Sequence, residues 1–230
     1  IRDRLKGEHS GAEAEKELEI RMHKAISIIQ FKVEGETIKR NPSFHLEKRN
    51  LLHLIDYEAG KITLDGKEHE LLDHYFPTID PKDPYALTEE EEDIMERLTC
   101  AFLNCEKLQK HMRFLLNKGS LYKVYNNNLL YHGCVPLCED GSLKTVRIYE
   151  HEYKGKSLYE VLESYVRKGF YAIDAGERQR GRDMMWYIWL SENSPLFGKD
   201  KMATFERYFL ADKETHKEQT VSYTHLRAHE

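Results

Sequence analysis

The sequence predicts a mixed α and β fold. Stretches with apolar residues at every third or fourth position alternate along the chain with short β-prone runs joined by turn residues. The 230 residues are 40% hydrophobic, which is enough apolar material to bury a core as one large domain or two small ones. Helical segments interspersed with β-hairpins are typical of chains that pack both kinds of element around a common core.

Charge and hydropathy argue against two classes of partner. A net charge of −5 and a pI near 6.2 provide no global field that would attract nucleic acid or an anionic membrane. The longest apolar runs, such as "AISIIQF" at 25–31, are far shorter than the ~20 residues that cross a bilayer. We therefore expect a cytoplasmic chain without nucleic-acid or membrane partners. Because the chain begins with isoleucine in "IRDRLKG", we interpret it as an internal fragment of a longer protein.

The four cysteines lack the two-residue spacing of zinc knuckles. They form two pairs along the chain, Cys100 with Cys105 and Cys134 with Cys138. Positions five apart on a helix point in different directions, so the first pair is poorly placed to bind one ion. We expect reduced, structural thiols, which fits an intracellular compartment.

The first element is an amphipathic helix from Ala12 to about Val33. Its apolar residues recur at three- and four-residue intervals: Leu18, Met22, Ala25, Ile26 and Ile29. The helix runs towards Gly35, and the "RNPSF" stretch at 40–44 breaks whatever follows.

A hairpin and a proline-rich connection come next. Residues 60–72 contain two short alternating runs separated by Asp65-Gly66, the dipeptide that supplies the positive φ values of a tight hairpin turn. The following "FPTIDPKDPY" at 76–85 has three prolines, which predict a rigid extended connection.

A capping box opens the longest predicted helix. Thr88 is followed three residues later by Glu91, and the helix is predicted to run to "NKGS" at 117–120. The acidic residues Glu89 to Glu92 complement the helix dipole and are interpreted as structural. The predicted apolar face consists of Ile94, Leu98, Ala101, Phe102, Cys105, Leu108, Met112 and Leu115.

The second half of the chain begins with β-prone runs. "LYKVY" and "LLYHGCV" are joined by asparagines 126–128, which predicts a second hairpin whose outgoing strand leads to His132. A third β-prone segment, "TVRIYEHEY", precedes helical patterns at about 157–171 and 178–190. The dense apolar run from Met184 to Trp189 indicates core packing.

His132 is a candidate metal ligand. It stands at the end of an apolar strand in "NLLYHGCVPL", where an imidazole can either bind a metal ion or hydrogen-bond to a neighbour. No partner follows at metal-ligand spacing. The residues by themselves leave both interpretations open.

Three cations near the end of the chain form a candidate phosphate site. Gly198, Lys199 and Lys201 lie in a predicted loop before a helix that carries Arg207, and such groups can bind phosphate oxygens. The alternative is a solvated, salt-bridged helix face. Nearby acidic residues that could pair with these cations are Asp200, Glu206, Asp212, Glu214 and Glu218.

Five stretches in order along the chain resemble the class III fructose-1,6-bisphosphatases, a bacterial family built on a metallophosphoesterase domain. They are "MHKAISIIQFK" (22–32), "FPTIDPKDPYALTEEEE" (76–92), "FLNCEKLQKHMRFLLNKGSLY" (102–122), "NLLYHGCVPL" (128–137) and "SPLFGKDKMATFERYF" (194–209). The resemblance extends from about residue 12 to about residue 218.

The resemblance implies a manganese-dependent hydrolase that converts fructose 1,6-bisphosphate to fructose 6-phosphate and phosphate, a step of gluconeogenesis. It implies a partial metallophosphoesterase (calcineurin-like) sandwich within 1–218, with a largely helical insertion at about 30–118 and several β-hairpins. His132 with Gly133 is similar to the family's later His-Gly motif, which makes His132 a metal ligand of a dinuclear Mn²⁺ centre. Lys199, Lys201 and Arg207 are then the candidate substrate-binding residues.

The chain departs from the family in two places. It contains no Asp-x-His, Gly-Asp-x-x-Asp-Arg or Gly-Asn-His-Asp motif, so we expect the motifs that bring most metal ligands to lie upstream of Ile1, and we assign no catalytic residue within the chain. The tail at 219–230 is unlike the family and is interpreted as non-native, so His225 and His229 are not proposed as ligands. We predict that the isolated chain is inactive.

Two rival functions stay open. The first is a metallophosphoesterase that acts on another phosphomonoester. The second is a non-catalytic module for oligomerisation or regulation, and a homo-oligomer is compatible with either.

Overall fold

The computed structural model describes the backbone of residues 2–221 and the side chains of residues 13–221. It confirms the mixed α and β class. The helices are α1 (Arg2–Arg40), α2 (Glu89–Asn104), α3 (Glu106–Lys118), α4 (Lys156–Tyr171), α5 (Ala175–Leu190) and α6 (Thr204–Phe209). The strands are β1 (Ile55–Asp56), β2 (Lys61–Leu64), β3 (Lys67–Glu70), β4 (Tyr122–Tyr125), β5 (Asn128–Tyr131), β6 (Val146–Ile148) and β7 (His151–Tyr153). Short 3-10 helices occupy Pro42–Phe44, Glu47–Arg49, Leu52–Leu54 and Lys213–His216.

Helix α1 is longer than the predicted segment from Ala12 to Val33. It passes through Gly35, where an added Cβ would lie 2.0 Å from the Tyr85 ring. The glycine therefore serves close packing against that ring and does not end the helix. The helix ends at Arg40, directly before Asn41 and Pro42, as the "RNPSF" stretch predicted.

The second half of α1 lies between two hydrophobic cores. The first core joins α1 to the β1–β3 sheet and α6, with Ile28, Phe31, Ile62, Phe205 and Phe209 among its buried residues. The second core joins the end of α1 to β6, α4 and α5, as a separate set of buried residues shows: Ile38, Val146, Ile148, Leu158, Leu162, Met184, Tyr187 and Ile188. The dense run in α5 is core packing, as predicted.

The sheets are small and antiparallel. Strands β1, β2 and β3 form one sheet, while β4–β5 and β6–β7 form separate two-stranded ribbons. Both predicted hairpin turns are confirmed, since Asp65 and Gly66 and likewise Asn126 and Asn127 have positive φ. The third β-prone segment folds on itself as β6–β7, turning at Tyr149. The metallophosphoesterase sandwich and the limits of the insertion stay predictions.

The prediction of one continuous helix from Thr88 to residue 117 is wrong in one respect, because the structure has two helices, α2 and α3, in this segment. The capping box of Thr88 and Glu91 is present, but Cys105 is extended with φ −77° and ψ 96°. At this break the Gln109 side chain donates to the Phe102 carbonyl, which replaces a helical hydrogen bond. The helical periodicity continued across the break and so concealed it.

The connection at 76–85 also differs from the prediction, because it folds into successive turns instead of an extended segment. Backbone amides of Ile79 and Asp83 donate to the carbonyls three residues earlier. The Asp80 carboxylate accepts from the Lys82 amide and stabilises the second turn locally.

Helices α4 and α5 form a tightly packed antiparallel pair close to the predicted bounds. An added Cβ at Gly181 would lie 2.2 Å from the amide nitrogen of Gly169, so the two backbones are nearly in contact. Among the helices within residues 2–221, none is sufficiently long and apolar to span a bilayer.

Candidate functional site

The segment around His132 has a firmly held backbone and an exposed imidazole. Strand β5 ends at Tyr131, and His132 follows it with an exposed side chain. The Cys134 amide donates to the Pro195 carbonyl at 2.8 Å, and the Tyr159 hydroxyl donates to the Cys134 carbonyl at 2.7 Å. These bonds fix the chain two residues beyond the histidine.

Gly133 explains why a glycine follows the histidine. An added Cβ there would lie 2.5 Å from the Pro195 carbonyl oxygen, so any other residue would separate the strand end from the loop at 194–198. Cys134 is buried against the same loop, and its Sγ lies 2.6 Å from an ideal Cβ at Gly198. Gly198 directly precedes Lys199. The structure therefore packs the segment beside His132 against the loop that leads to the predicted cations.

The three predicted cations are gathered around two carboxylates. Lys199 and Arg207 both contact Glu218, at 2.8 Å and 2.9 Å. Lys201 lies 3.8 Å from Glu206, and its Nζ donates to the Thr215 carbonyl at 2.7 Å. The ion pairs expected from the salt-bridged alternative are thus present in the structure. The ion pairs do not exclude phosphate binding, because all three cations are partly exposed.

Glu218 organises this cluster. Burial by itself raises the pKa of Glu218. The hydrogen bonds from Lys199 and from the Ala203 amide, together with the positive charges of Lys199 and Arg207, lower the pKa by more than burial raises it. The net effect is a pKa below the ordinary value, so the carboxylate is charged at neutral pH. It therefore holds together Lys199, in the loop before α6, and Arg207, in the last turn of α6.

Glu206 of α6 lies close to a further buried carboxylate, Glu34 of α1, which the sequence analysis did not single out. Glu34 and Glu206 are 2% and 4% exposed, and Oε2 of each has no hydrogen-bond partner among the described residues. Arg49 donates to Glu34 at 3.0 Å and also to the Met202 carbonyl. Burial raises the pKa of both carboxyls, and Glu206 adds to the rise at Glu34.

No sequence signal identified this buried group. Glu34, Arg49 and Glu206 are far apart along the chain and lie in segments otherwise rich in charge. Only the packing of α6 against α1 brings them together.

The described residues supply one candidate donor for a metal, not a complete site. Within residues 13–221, whose side chains the structure describes, no group of three or more His, Cys, Asp or Glu side chains is placed to hold a metal ion. These residues alone do not fit a dinuclear centre. His225 and His229, which the sequence analysis set aside, lie outside the described residues. The cysteines form no disulfide, as predicted.

Comparison with known proteins gives a consistent result. The family model described as "Firmicute fructose-1,6-bisphosphatase" matches residues 2–230. A relative from Clostridioides difficile (strain 630), named "Fructose-1,6-bisphosphatase class 3", is 55% identical over 217 residues, which cover 94% of this chain and 33% of the relative.

Two clostridial relatives carry the same name. The one from Clostridium botulinum (strain Alaska E43 / Type E3) is 51% identical over 99% of this chain and 35% of its own length. The one from Clostridium tetani (strain Massachusetts / E88) is 55% identical over 90% of this chain and 31% of its own length. The chain therefore spans about a third of the length of the curated relatives it matches. No solved structure shows significant similarity to it.

Proposed function

Because the chain belongs to the Firmicute fructose-1,6-bisphosphatase family, we propose that it forms part of a cytoplasmic phosphatase of gluconeogenesis. The reaction is hydrolysis of the 1-phosphate of fructose 1,6-bisphosphate to give fructose 6-phosphate and phosphate. The observation that carries the proposal is the 55% identity to a relative named for this activity over 94% of the chain. Since the chain spans a third of that relative, the activity is proposed for a longer protein.

His132 is proposed as one nitrogen ligand of a Mn²⁺ centre. Its support is an exposed imidazole at a strand end whose following backbone is held by Pro195 and Tyr159. Divalent ions in phosphatases acidify a water molecule and neutralise phosphoryl charge. The other ligands of a dinuclear centre would come from outside the residues described.

Lys199, Lys201 and Arg207 are proposed to bind the substrate phosphates. Their support is that Lys199 and Lys201 lie in the loop before α6 and Arg207 lies within α6, and that this loop packs against the segment that carries His132. A phosphate group carries more charge and more acceptor oxygens than a carboxylate, so it can compete with Glu218 for Lys199 and Arg207. Binding would then loosen the Glu218 ion pairs.

A chimeric enzyme tests these assignments. The present chain replaces the corresponding third of the Clostridioides difficile relative, and phosphate release from fructose 1,6-bisphosphate is measured with Mn²⁺. We expect the chimera to be active, and a panel of other phosphomonoesters to be hydrolysed more slowly. His132→Ala should lower kcat by at least about 100-fold, because removing a metal ligand should cost no less than the roughly 10–100-fold lost when a group that only supports a ligand is removed.

The matched control is His151→Ala, which removes another exposed histidine from a two-stranded ribbon. It should leave kcat unchanged. A His132→Ala chimera with normal turnover and metal content would refute the ligand assignment. Replacing Lys199, Lys201 or Arg207 individually by methionine should raise KM more than it lowers kcat. An unaltered KM in all three variants would mean that Lys199, Lys201 and Arg207 only form structural salt bridges.

A further inference from the structure

Helix α2 presents an uncovered apolar stripe. Ile94, Leu98 and Phe102 are spaced four residues apart, so they share one face of the helix, and they are 40%, 38% and 60% exposed. A stripe of this kind is normally buried in an amphipathic helix. Within the described residues nothing covers it.

Helix α3 continues the uncovered surface beyond the break at Cys105. Phe114 and Leu115 are 65% and 57% exposed. Exposed apolar side chains bordered by charges are typical of protein interaction sites. We call the exposed apolar residues of these two consecutive helices the helix-pair face, defined by Ile94, Leu98, Phe102, Phe114 and Leu115.

The two helices carry opposite charges. Helix α2 has six carboxylates, Glu89 to Glu92, Asp93 and Glu96, against one cation, Arg97. Helix α3 has four cations, Lys107, Lys110, Arg113 and Lys118, against one carboxylate, Glu106. The exposed apolar residues of α2 thus lie on an acidic helix and those of α3 on a basic one, so the two helices are complementary in charge.

The face is also anchored at both ends. At the start of α2, Glu91 forms a 2.6 Å ion pair with the fully buried Lys32 of α1. At the end of α3, Arg167 of α4 donates to the carbonyls of Leu116 and Gly119. A surface held in this way needs little ordering when it binds, which lowers the entropic cost of association.

We propose that the helix-pair face joins two copies of this chain about a twofold axis, with α2 of each copy lying on α3 of the other. A twofold arrangement satisfies the charge pattern twice, because each copy supplies one acidic and one basic helix. It also covers the apolar stripe of both copies in a closed contact. The proposal is independent of the proposed enzymatic activity.

Sedimentation equilibrium of the 230-residue chain tests this contact, with charge-reversed variants that keep the apolar stripe. The first variant is Glu90→Lys/Asp93→Lys on α2, and the second is Lys107→Glu/Lys118→Glu on α3. Each should weaken dimerisation at least tenfold at low salt, because like charges then face each other. An equimolar mixture of the two should restore the dimer, since each reversed helix then meets an opposite charge.

The matched control is Glu58→Lys/Glu70→Lys, which changes the net charge as the first variant does but on the exposed side of the β1–β3 sheet. It should dimerise like the unaltered chain. If circular dichroism shows that a charge-reversed variant is unfolded, Phe102→Asp tests the same contact. This variant should be a monomer.

Three results would overturn the proposal. One is an unaltered chain that is monomeric at 100 μM, which would indicate that another part of the longer protein covers the helix-pair face. Another is a mixture of folded reversed variants that does not associate. The last is a Phe102→Asp chain that dimerises normally.

Discussion

Glu206 is a buried carboxylate whose charge is poorly compensated. One of its oxygens has no hydrogen-bond partner, and Lys201 approaches only to 3.8 Å. Glu34 is buried nearby and shares the influence of Arg49. Burying a carboxylate without full pairing destabilises its charged form, so the folded chain binds a proton at this position more readily than the unfolded chain.

The raised pKa of Glu206 predicts a pH dependence of stability. Burial raises this pKa above the ordinary value of 4.5, so the folded state holds more protons than the unfolded state above that pH. The free energy of unfolding contributed by this group therefore falls as the pH rises from 4.5 through the raised pKa. Glu206→Gln removes this decline, and urea titrations should show the variant gaining stability relative to the parent over that interval.

Glu163→Gln is the control of opposite sign. Burial raises the pKa of Glu163, but hydrogen bonds from Ser120, Arg167 and the Leu121 amide lower it to a net value below 4.5. Its charge therefore stabilises the fold above pH 4.5, and that stabilisation is lost as the pH falls through the lowered pKa. Glu163→Gln should be less stable at neutral pH. A Glu206→Gln variant with the same pH profile as the parent would contradict the assignment.

At the scale of elements, α1 is the helix that other elements contact through buried polar pairs. Lys32 binds Glu91 at the start of α2, and Glu34 binds Arg49. Asn41, the residue directly after α1, donates to Asp183 of α5 at 2.8 Å. Each pair joins α1 or its end to a different element. Paired polar groups specify how the elements dock, because a shifted arrangement would leave a buried charge unpaired.

Breaking the Lys32–Glu91 pair should be costly. Lys32→Met leaves the Glu91 carboxylate buried without its partner, and the free energy of unfolding should fall by about 3–5 kcal/mol. Lys32→Met/Glu91→Gln should recover much of this loss, because glutamine is neutral and preserves the capping box with Thr88. Urea denaturation of the single and double variants measures the coupling.

Lys24→Met on the same helix is the matched control. Lys24 pairs with Asp73 at 2.6 Å, but Asp73 is half exposed, so the loss should stay below about 1 kcal/mol. Equal losses in Lys24→Met and Lys32→Met would show that burial of the second pair has no energetic consequence.

The α4–α5 pair depends on close backbone approach. Alanine is favoured over glycine by about 1 kcal/mol inside a helix, so Gly181→Ala would stabilise an isolated α5. Here the new Cβ would lie 2.2 Å from the amide nitrogen of Gly169 and 2.5 Å from the Tyr165 carbonyl. We expect a net loss of about 1–3 kcal/mol from overpacking, measured by urea denaturation.

Gly176 in the first turn of α5 is the comparison position. The only atom near its added Cβ is the Asp174 carboxylate oxygen, at 3.2 Å. Gly176→Ala should therefore be neutral or slightly stabilising. A stabilised Gly181→Ala variant would mean that the helix pair separates easily.

At the scale of the whole molecule, the chain should not catalyse the reaction by itself. Within residues 13–221 no cluster of three or more His, Cys, Asp or Glu side chains is placed to hold a metal ion. We expect the isolated chain to release phosphate from fructose 1,6-bisphosphate with Mn²⁺ no faster than the uncatalysed background. A colorimetric phosphate assay checks this, with the chimeric enzyme as the positive control. Turnover approaching that of the chimera would contradict the prediction.

Local signals were sufficient for most elements. The Asp65-Gly66 turn, the three asparagines before β5 and the Thr88–Glu91 capping box each act through neighbouring backbone groups, and all three are present. The two errors came from local polar contacts that the apolar pattern does not reveal, the Gln109 side chain at the break near Cys105 and the Asp80 carboxylate in the turns at 76–85. The close packing of Tyr85 on Gly35 is a distant contact that no local pattern indicates.

The candidate site divides in the same way. Its residue types could be identified from the sequence, since an imidazole at a strand end and cations before a helix are local features. Which of the candidate carboxylates pairs with each cation could not be identified, because Glu218 reaches Lys199 and Arg207 only after the chain turns back beside α6. The buried Glu34 and Glu206 emerge only from the packing of α6 on α1.

The amino-acid sequence by itself determined the mixed fold class, the hairpin turns, the helix start at Thr88 and the family. These depend on side-chain chemistry within a few residues, or on identity along the chain. Only the tertiary structure decided which charges are buried, which glycines serve close packing and which apolar stripes stay uncovered. Burial and contact depend on elements far apart in the chain, and a stripe such as Ile94, Leu98 and Phe102 has the same pattern whether or not something covers it.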